Sequence, residues 1–213
     1  MSIGARHVVE AGGHELFELY YAGNDLGATY TPSSTAFRVF APQASGLAVM
    51  VYDSLHALTG REAAMHWIGD GVWMAEIEGD LAGRSYTYRV GHGSAAEVAV
   101  DPYAQGLTAN GERGLVVDLA STDPEGWADD VRPKFEHSTD AVLYEMHVRD
   151  FSILPESGIP FNGKYLGLTA RGTTLEGHST GLDHLVELGV THVHLMPVQD
   201  FASVDERSEE RRV

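Results

Sequence analysis

The side chains best suited to chemistry lie in the last third of the chain. Tyr144-Glu145-Met146-His147-Val148-Arg149-Asp150 carries two carboxylates and an imidazole, and His192, His194, Gln199 and Asp200 follow. Two carboxylates at a fixed separation can divide acid and base roles between them. Glu145 and Asp200 suggest such a pair, but they belong to different predicted strands and their spacing fixes no distance. His192 and His194 alternate along a strand and so point the same way, and paired histidines at a strand's carboxyl end can hold zinc with a carboxylate. Here they sit mid-strand, before Leu195-Met196-Pro197, with no further ligand spacing nearby. They read as facing a helix layer or pairing with neighbours, and His147 meets the same objection. No metal and no cofactor are expected.

The elements that position these residues span residues 141–201. Ala141-Val142-Leu143-Tyr144-Glu145-Met146-His147-Val148 begins apolar on both faces, as a strand covered on both sides should. A long loop leads to Thr180-Gly181-Leu182-Asp183-His184-Leu185-Val186-Glu187-Leu188-Gly189. There, helical spacing puts Leu182, Leu185, Val186 and Leu188 on one face, and Gly189 sits at the stop. A β-branched run through residues 190–198 follows. Strand, helix and strand make a βαβ unit with parallel strands. Such a unit leaves its own sheet edge unpaired and apolar surface uncovered.

The earlier part of the chain has a period of two. Residues 36–41 alternate and end at Pro42, and Leu47-Ala48-Val49-Met50-Val51-Tyr52 follows. Residues 65–68 and 72–77 flank the turn Gly69-Asp70-Gly71. Further strands are predicted at 85–90, 97–100 and 115–119. Many short strands with turn signals between them predict an all-β, immunoglobulin-like sandwich. The predicted division is an irregular lead-in at 1–34, whose aromatic-rich residues 16–30 are expected to cover a sheet edge, the sandwich at 35–120, a linker at 121–139, and the strand–helix–strand piece at 140–213. Trp127 in the linker is expected to pack back on a neighbour, and the charged tail 204–212 to be solvated.

Composition narrows the function classes. The 213 residues carry 31 acidic and 14 basic side chains, a formal net charge of −17, which argues against nucleic acid and anionic membranes as partners. An acidic surface fits a neutral, hydroxyl-rich ligand. Cysteine is absent, so thiolate catalysis, disulfides and cysteine-type zinc sites are excluded. No apolar leader and no run of membrane-spanning length occur, so a cytoplasmic protein is expected.

The sandwich resembles the family 48 carbohydrate-binding module that precedes the barrel of starch-branching and debranching enzymes. The resemblance rests on Phe37-Arg38-Val39-Phe40-Ala41-Pro42, Gly71-Val72-Trp73, Gly83-Arg84-Ser85-Tyr86-Thr87-Tyr88 and Asp101-Pro102-Tyr103-Ala104. Tyr21-Ala22-Gly23-Asn24-Asp25-Leu26-Gly27-Ala28-Thr29-Tyr30, the segment 144–152 and Gly163-Lys164-Tyr165-Leu166-Gly167-Leu168-Thr169 narrow it to the type I pullulanases. Residues 189–198 resemble the second barrel strand of glycoside hydrolase family 13.

The resemblance implies a multidomain chain, a sandwich followed by a truncated (β/α)8 TIM-barrel start. It implies hydrolysis of α-1,6-glucosidic bonds in pullulan, amylopectin or limit dextrins with retention, by two carboxyls about 5 Å apart. In the family these groups, with a third carboxylate, follow the fourth, fifth and seventh barrel strands. A whole barrel takes about 250 residues, and the family's Tyr-Asn-Trp-Gly-Tyr-Asp-Pro signature is expected after Asp205-Glu206. No catalytic residue is therefore assigned, and the 213-residue chain, read as an amino-terminal fragment, is expected to be inactive. The alternative is a non-catalytic α-glucan-binding or scaffold fragment. At strand carboxyl ends, Asp150, Gln199 and Asp200 are read as structural hydrogen bonders. Glycogen-binding relatives of the module carry tryptophans where this chain has Ser54-Leu55-His56 and Ala95-Ala96-Glu97, which favours a structural module. Trp73, Tyr86 and Tyr88 occupy core-packing positions, leaving Trp67 as the candidate sugar-stacking residue.

Overall fold

A computed structural model describes residues 5–11, 15–131, 134, 136–198 and 205–207. The chain forms two compact units, residues 1–127 with 202–213, and residues 128–201. Among the described residues no helix is long and apolar enough to cross a membrane.

The first unit opens with an antiparallel hairpin, β1 (Ala5–Ala11) and β2 (Glu15–Tyr21). Next come β3 (Gly27–Tyr30), β4 (Ser34–Phe40), β5 (Gly46–Tyr52), β6 (Arg61–Ala64) and β7 (His66–Gly69). The series continues with β8 (Val72–Glu78), β9 (Ser85–His92), β10 (Ala95–Ala99) and the short β11 (Gly114–Leu115). One sheet runs β3-β4-β8-β7 and the other β10-β9-β5-β6, with β11 added to β9. In β4 the alternation is clean: Thr35, Phe37 and Val39 are buried and their neighbours are half-buried. Phe37 of one sheet meets Tyr86 of the other edge-to-face, ring centres 4.9 Å apart. Val49, Val51, Ala75, Ile77, Tyr88 and Val116 complete a core drawn from both sheets.

Three parts of this unit depart from the sequence reading. The lead-in predicted as irregular contains β1, β2 and β3, and β3 pairs with the open edge of β4 through Ala28 opposite Phe37. An unpaired strand edge offers a row of free backbone groups, and four residues suffice to occupy it. Arg61–Ala64 forms a strand against β5 although Arg-Glu-Ala-Ala has little β propensity, so pairing overrides composition there. The strand predicted at 115–119 stops at Leu115, and Leu119–Thr122 is a 3₁₀ turn capped by Asp118.

Two further expectations are corrected. Trp127 is 59% exposed, not packed back on a neighbour. The tail predicted to be solvated is hydrogen-bonded at Asp205 to Arg207, within this first unit. Asn110 donates its N–H to Glu206 (2.6 Å) and its amide to Asp205 (3.0 Å), and accepts from the Glu206 N–H (2.8 Å). Arg207 pairs with Glu112 at 2.8 Å. The rest of the predicted solvated tail lies outside the described residues.

The second unit contains β12 (Leu143–Met146), α1 (Val148–Ser152), the short β13 (Thr174–Leu175) and β14 (His178–Ser179), α2 (Gly181–Glu187) and β15 (His192–Leu195). β12 and β15 are parallel, with Leu143 opposite His192 and Met146 opposite Leu195. The helix ends where Gly189 adopts φ +72°. Apolar surface is left uncovered, as expected of a lone strand–helix–strand piece. Leu143 is 69% exposed, and Val142 and Val193 are exposed beside it. Of the predicted helix face Leu185 is buried and Leu182 half-buried, while Val186 and Leu188 face outward. Two short strands and a seven-residue helix supply too little surface to cover both faces of the pair.

Candidate functional site

Parallel pairing brings the carboxyl ends of β12 and β15 to the same edge, where open α/β sheets and barrels place ligands. Glu145 and His194 stand opposite each other in the register, with the carboxylate 3.6 Å from Nδ1 and both side chains about two-thirds exposed. His192 turns its Nδ1 to the Thr191 hydroxyl at 2.8 Å, and that hydroxyl also accepts from the Val142 N–H at 2.8 Å. The two histidines thus make separate neighbour contacts. Among the described residues no group of three or more His, Asp or Glu comes close enough to hold an ion.

His147 caps α1: its Nδ1 accepts the Arg149 N–H at 3.2 Å, so the ring proton belongs on the other nitrogen. Asp150 lies in the first turn of α1 with its carboxylate exposed, 4.0 Å from His147. Gln199 and Asp200 lie outside the described residues, and with them the suggested Glu145–Asp200 pair.

The aromatic candidates belong to the sandwich. Tyr86 and Tyr88 are buried, and both hydroxyls donate to Asp101 Oδ2, at 2.7 and 3.2 Å. The Tyr103 N–H donates to Asp101 Oδ1 at 2.9 Å. Burial pushes the Asp101 carboxyl above the ordinary carboxylate range, although all three donors pull it down. Burial, with the Asp101 charge alongside, raises both tyrosines. Trp73 is half-buried and donates its indole N–H to the Ala41 carbonyl at 3.1 Å. Trp67 stands opposite Trp73 in the β7–β8 pairing, edge-to-face at 5.8 Å, and remains 45% exposed.

Two arrangements were not singled out in the sequence. Asp101 is the acceptor that two inward tyrosines demand, and an acid closely following two inward tyrosines is the signal that could have found it. Arg113 lies over the Tyr52 ring, 3.6 Å from its centre, and donates to the Ala57 carbonyl at 2.8 Å. No local pattern announces that contact.

Residues 25–104 match the model of carbohydrate-binding module 48, the isoamylase N-terminal domain. The chain is 45% identical over 190 residues to the pullulanase of Bacillus subtilis, covering 89% of this chain and 26% of that protein. The solved pullulanase of Bacillus acidopullulyticus superposes with a TM-score of 0.83 at 39% identity, covering 93% of this chain and 26% of the other. A pullulanase variant of Paenibacillus barengoltzii, solved with maltotetraose, gives 0.82 at 47% identity over 87% of this chain and 29% of its own. This chain spans about a quarter of the length of these relatives. With a family 48 module at residues 25–104, the chain belongs to the pullulanase family and corresponds to its amino-terminal region.

Proposed function

We propose that this chain is the non-catalytic front of a debranching enzyme that hydrolyses α-1,6-glucosidic bonds in branched α-glucans with retention. The observation that carries the reading is the reach of the likeness: 93% of the chain superposes on one pullulanase, so both units are included and not the module alone. In this reading the sandwich at 35–120 is a structural module, 121–139 a linker, and the parallel pair in 140–213 the first strand–helix–strand of a (β/α)8 barrel. The exposed apolar faces of β12 and β15 support it, because barrel strands are covered inside and out. The carboxylates that perform the chemistry lie outside these residues. Glu145 supports that view, since it faces the His194 imidazole across the strands.

The test is to express the complete open reading frame that contains these residues and give it pullulan. Release of maltotriose with the α-anomer formed first is expected. Absence of α-1,6 cleavage, or β-anomer first, would overturn the reading.

A further inference from the structure

We propose that the turn Ala109–Gly111 is a socket for the chain leaving β15, with Asn110 a positioning residue for the loop after that strand, an inference that rests on the debranching reading above. The chain leaves the first unit after Trp127 and returns to it at residue 202, so Asp205-Glu206-Arg207 belong to the sandwich unit. Their contacts with Asn110 run both ways. The Asn110 N–H donates to the Glu206 carboxylate at 2.6 Å, and the Glu206 N–H donates back to the Asn110 side-chain oxygen at 2.8 Å. The Asn110 amide also reaches Asp205 Oδ1 at 3.0 Å, and the same oxygen accepts the Arg207 N–H at 3.0 Å. Arg207 then pairs with Glu112 at 2.8 Å.

The socket is built onto the sandwich core. Asn110 holds φ +60°, a left-handed conformation that asparagine accepts more readily than most residues. The Gly111 N–H closes the turn onto the Thr108 carbonyl at 2.9 Å. Thr108 is tied in turn to Arg113: its N–H donates to the Arg113 carbonyl at 2.9 Å, and its hydroxyl accepts the Arg113 N–H at 3.0 Å. One residue on, Gly114 pairs with β9, so close that a Cβ would lie 2.8 Å from the buried Tyr86 ring. Hydrogen bonds in opposite senses between Asn110 and Glu206 set the direction of the backbone at 206 as well as its place, which an exposed ion pair alone does not. Six residues separate Val198 from Asp205. A chain reaches at most about 3.5 Å per residue, so fixing Asp205 restricts the path of that loop. In a barrel, loops at the carboxyl ends of the strands shape the substrate site. The sandwich thereby acts on the reaction through Asn110 without touching substrate.

The test uses the protein expressed from the full reading frame and its Asn110→Gly variant, which keeps the left-handed turn and removes the side-chain half of the clasp. KM for pullulan should rise about fivefold while kcat stays within about twofold. A module that is merely less stable would lower the fraction of active enzyme, and with it the apparent kcat, and leave KM alone. Glu206→Ala should raise KM similarly, and the double variant should fall short of the product of the two effects, as for partners in one contact. Glu206→Gln keeps an acceptor for the Asn110 N–H and should restore KM to within about twofold of wild type. Hydrogen exchange at the Glu206 amide, read by mass spectrometry, should quicken about tenfold in Asn110→Gly. An unchanged KM in that variant, unchanged exchange across 205–207, or effects of the two substitutions that simply multiply would each overturn the assignment. If the wild-type protein fails to cleave pullulan, the debranching reading falls on that result, while exchange at Glu206 still decides whether the clasp forms.

Discussion

Asp101 shows how a single side chain ties the sandwich together. Its two oxygens collect two tyrosine hydroxyls and one backbone N–H in a buried setting, and burial dominates its titration. The folded state therefore holds a proton on this carboxyl more tightly than the unfolded chain does. Its contribution to stability is fully present below the unfolded value of about 3.9 and is lost as pH rises through the raised folded value. Asp101→Asn removes the titration and keeps the shape. Urea unfolding at pH 4 and pH 7 should show wild type losing stability relative to Asp101→Asn between the two; a relative gain would contradict the assignment. Tyr86 and Tyr88 were legible as core positions from strand alternation alone. The partners of Asn110 were not, because Asp205 and Glu206 lie 95 and 96 residues further along the chain and no local pattern announces them.

At the level of elements, the β7–β8 hairpin is where local chemistry dictates structure most completely. Gly69, Asp70 and Gly71 take φ of +107°, +50° and +84°, a run that glycine tolerates and most residues do not. At Gly71 a methyl group would also lie 2.5 Å from the Phe40 ring. Gly71→Ala should cost about 1–3 kcal/mol, read as a lowered urea midpoint with an unchanged slope. An unchanged midpoint would mean that the turn rearranges freely. This turn was legible from Gly-Asp-Gly between alternating runs. β3 and β6 were not: a Gly-Ala-Thr-Tyr run and an Arg-Glu-Ala-Ala run become strands because β4 and β5 offer them open edges. α2 failed in the opposite direction. Its periodicity was read correctly, yet Val186 and Leu188 stay exposed because helical spacing says which residues share a face and not whether a neighbour covers it.

At the scale of the molecule, order along the chain carried the family. Motifs from Tyr21 to Val198 stand in one sequence order, and each constrains a turn, a strand end or a loop. The chain spans about a quarter of the length of its pullulanase relatives. Of the carboxylates described above, Glu145 faces His194, Asp101 is buried under tyrosines, and Asp150 sits exposed in the first turn of α1. The central claim is that residues 1–213 prepare and position but do not cleave. Reducing-end release from pullulan by the purified 213-residue chain tests it most directly. The account predicts a rate no higher than the buffer blank, whereas turnover that rises in proportion to the concentration of this chain would contradict it.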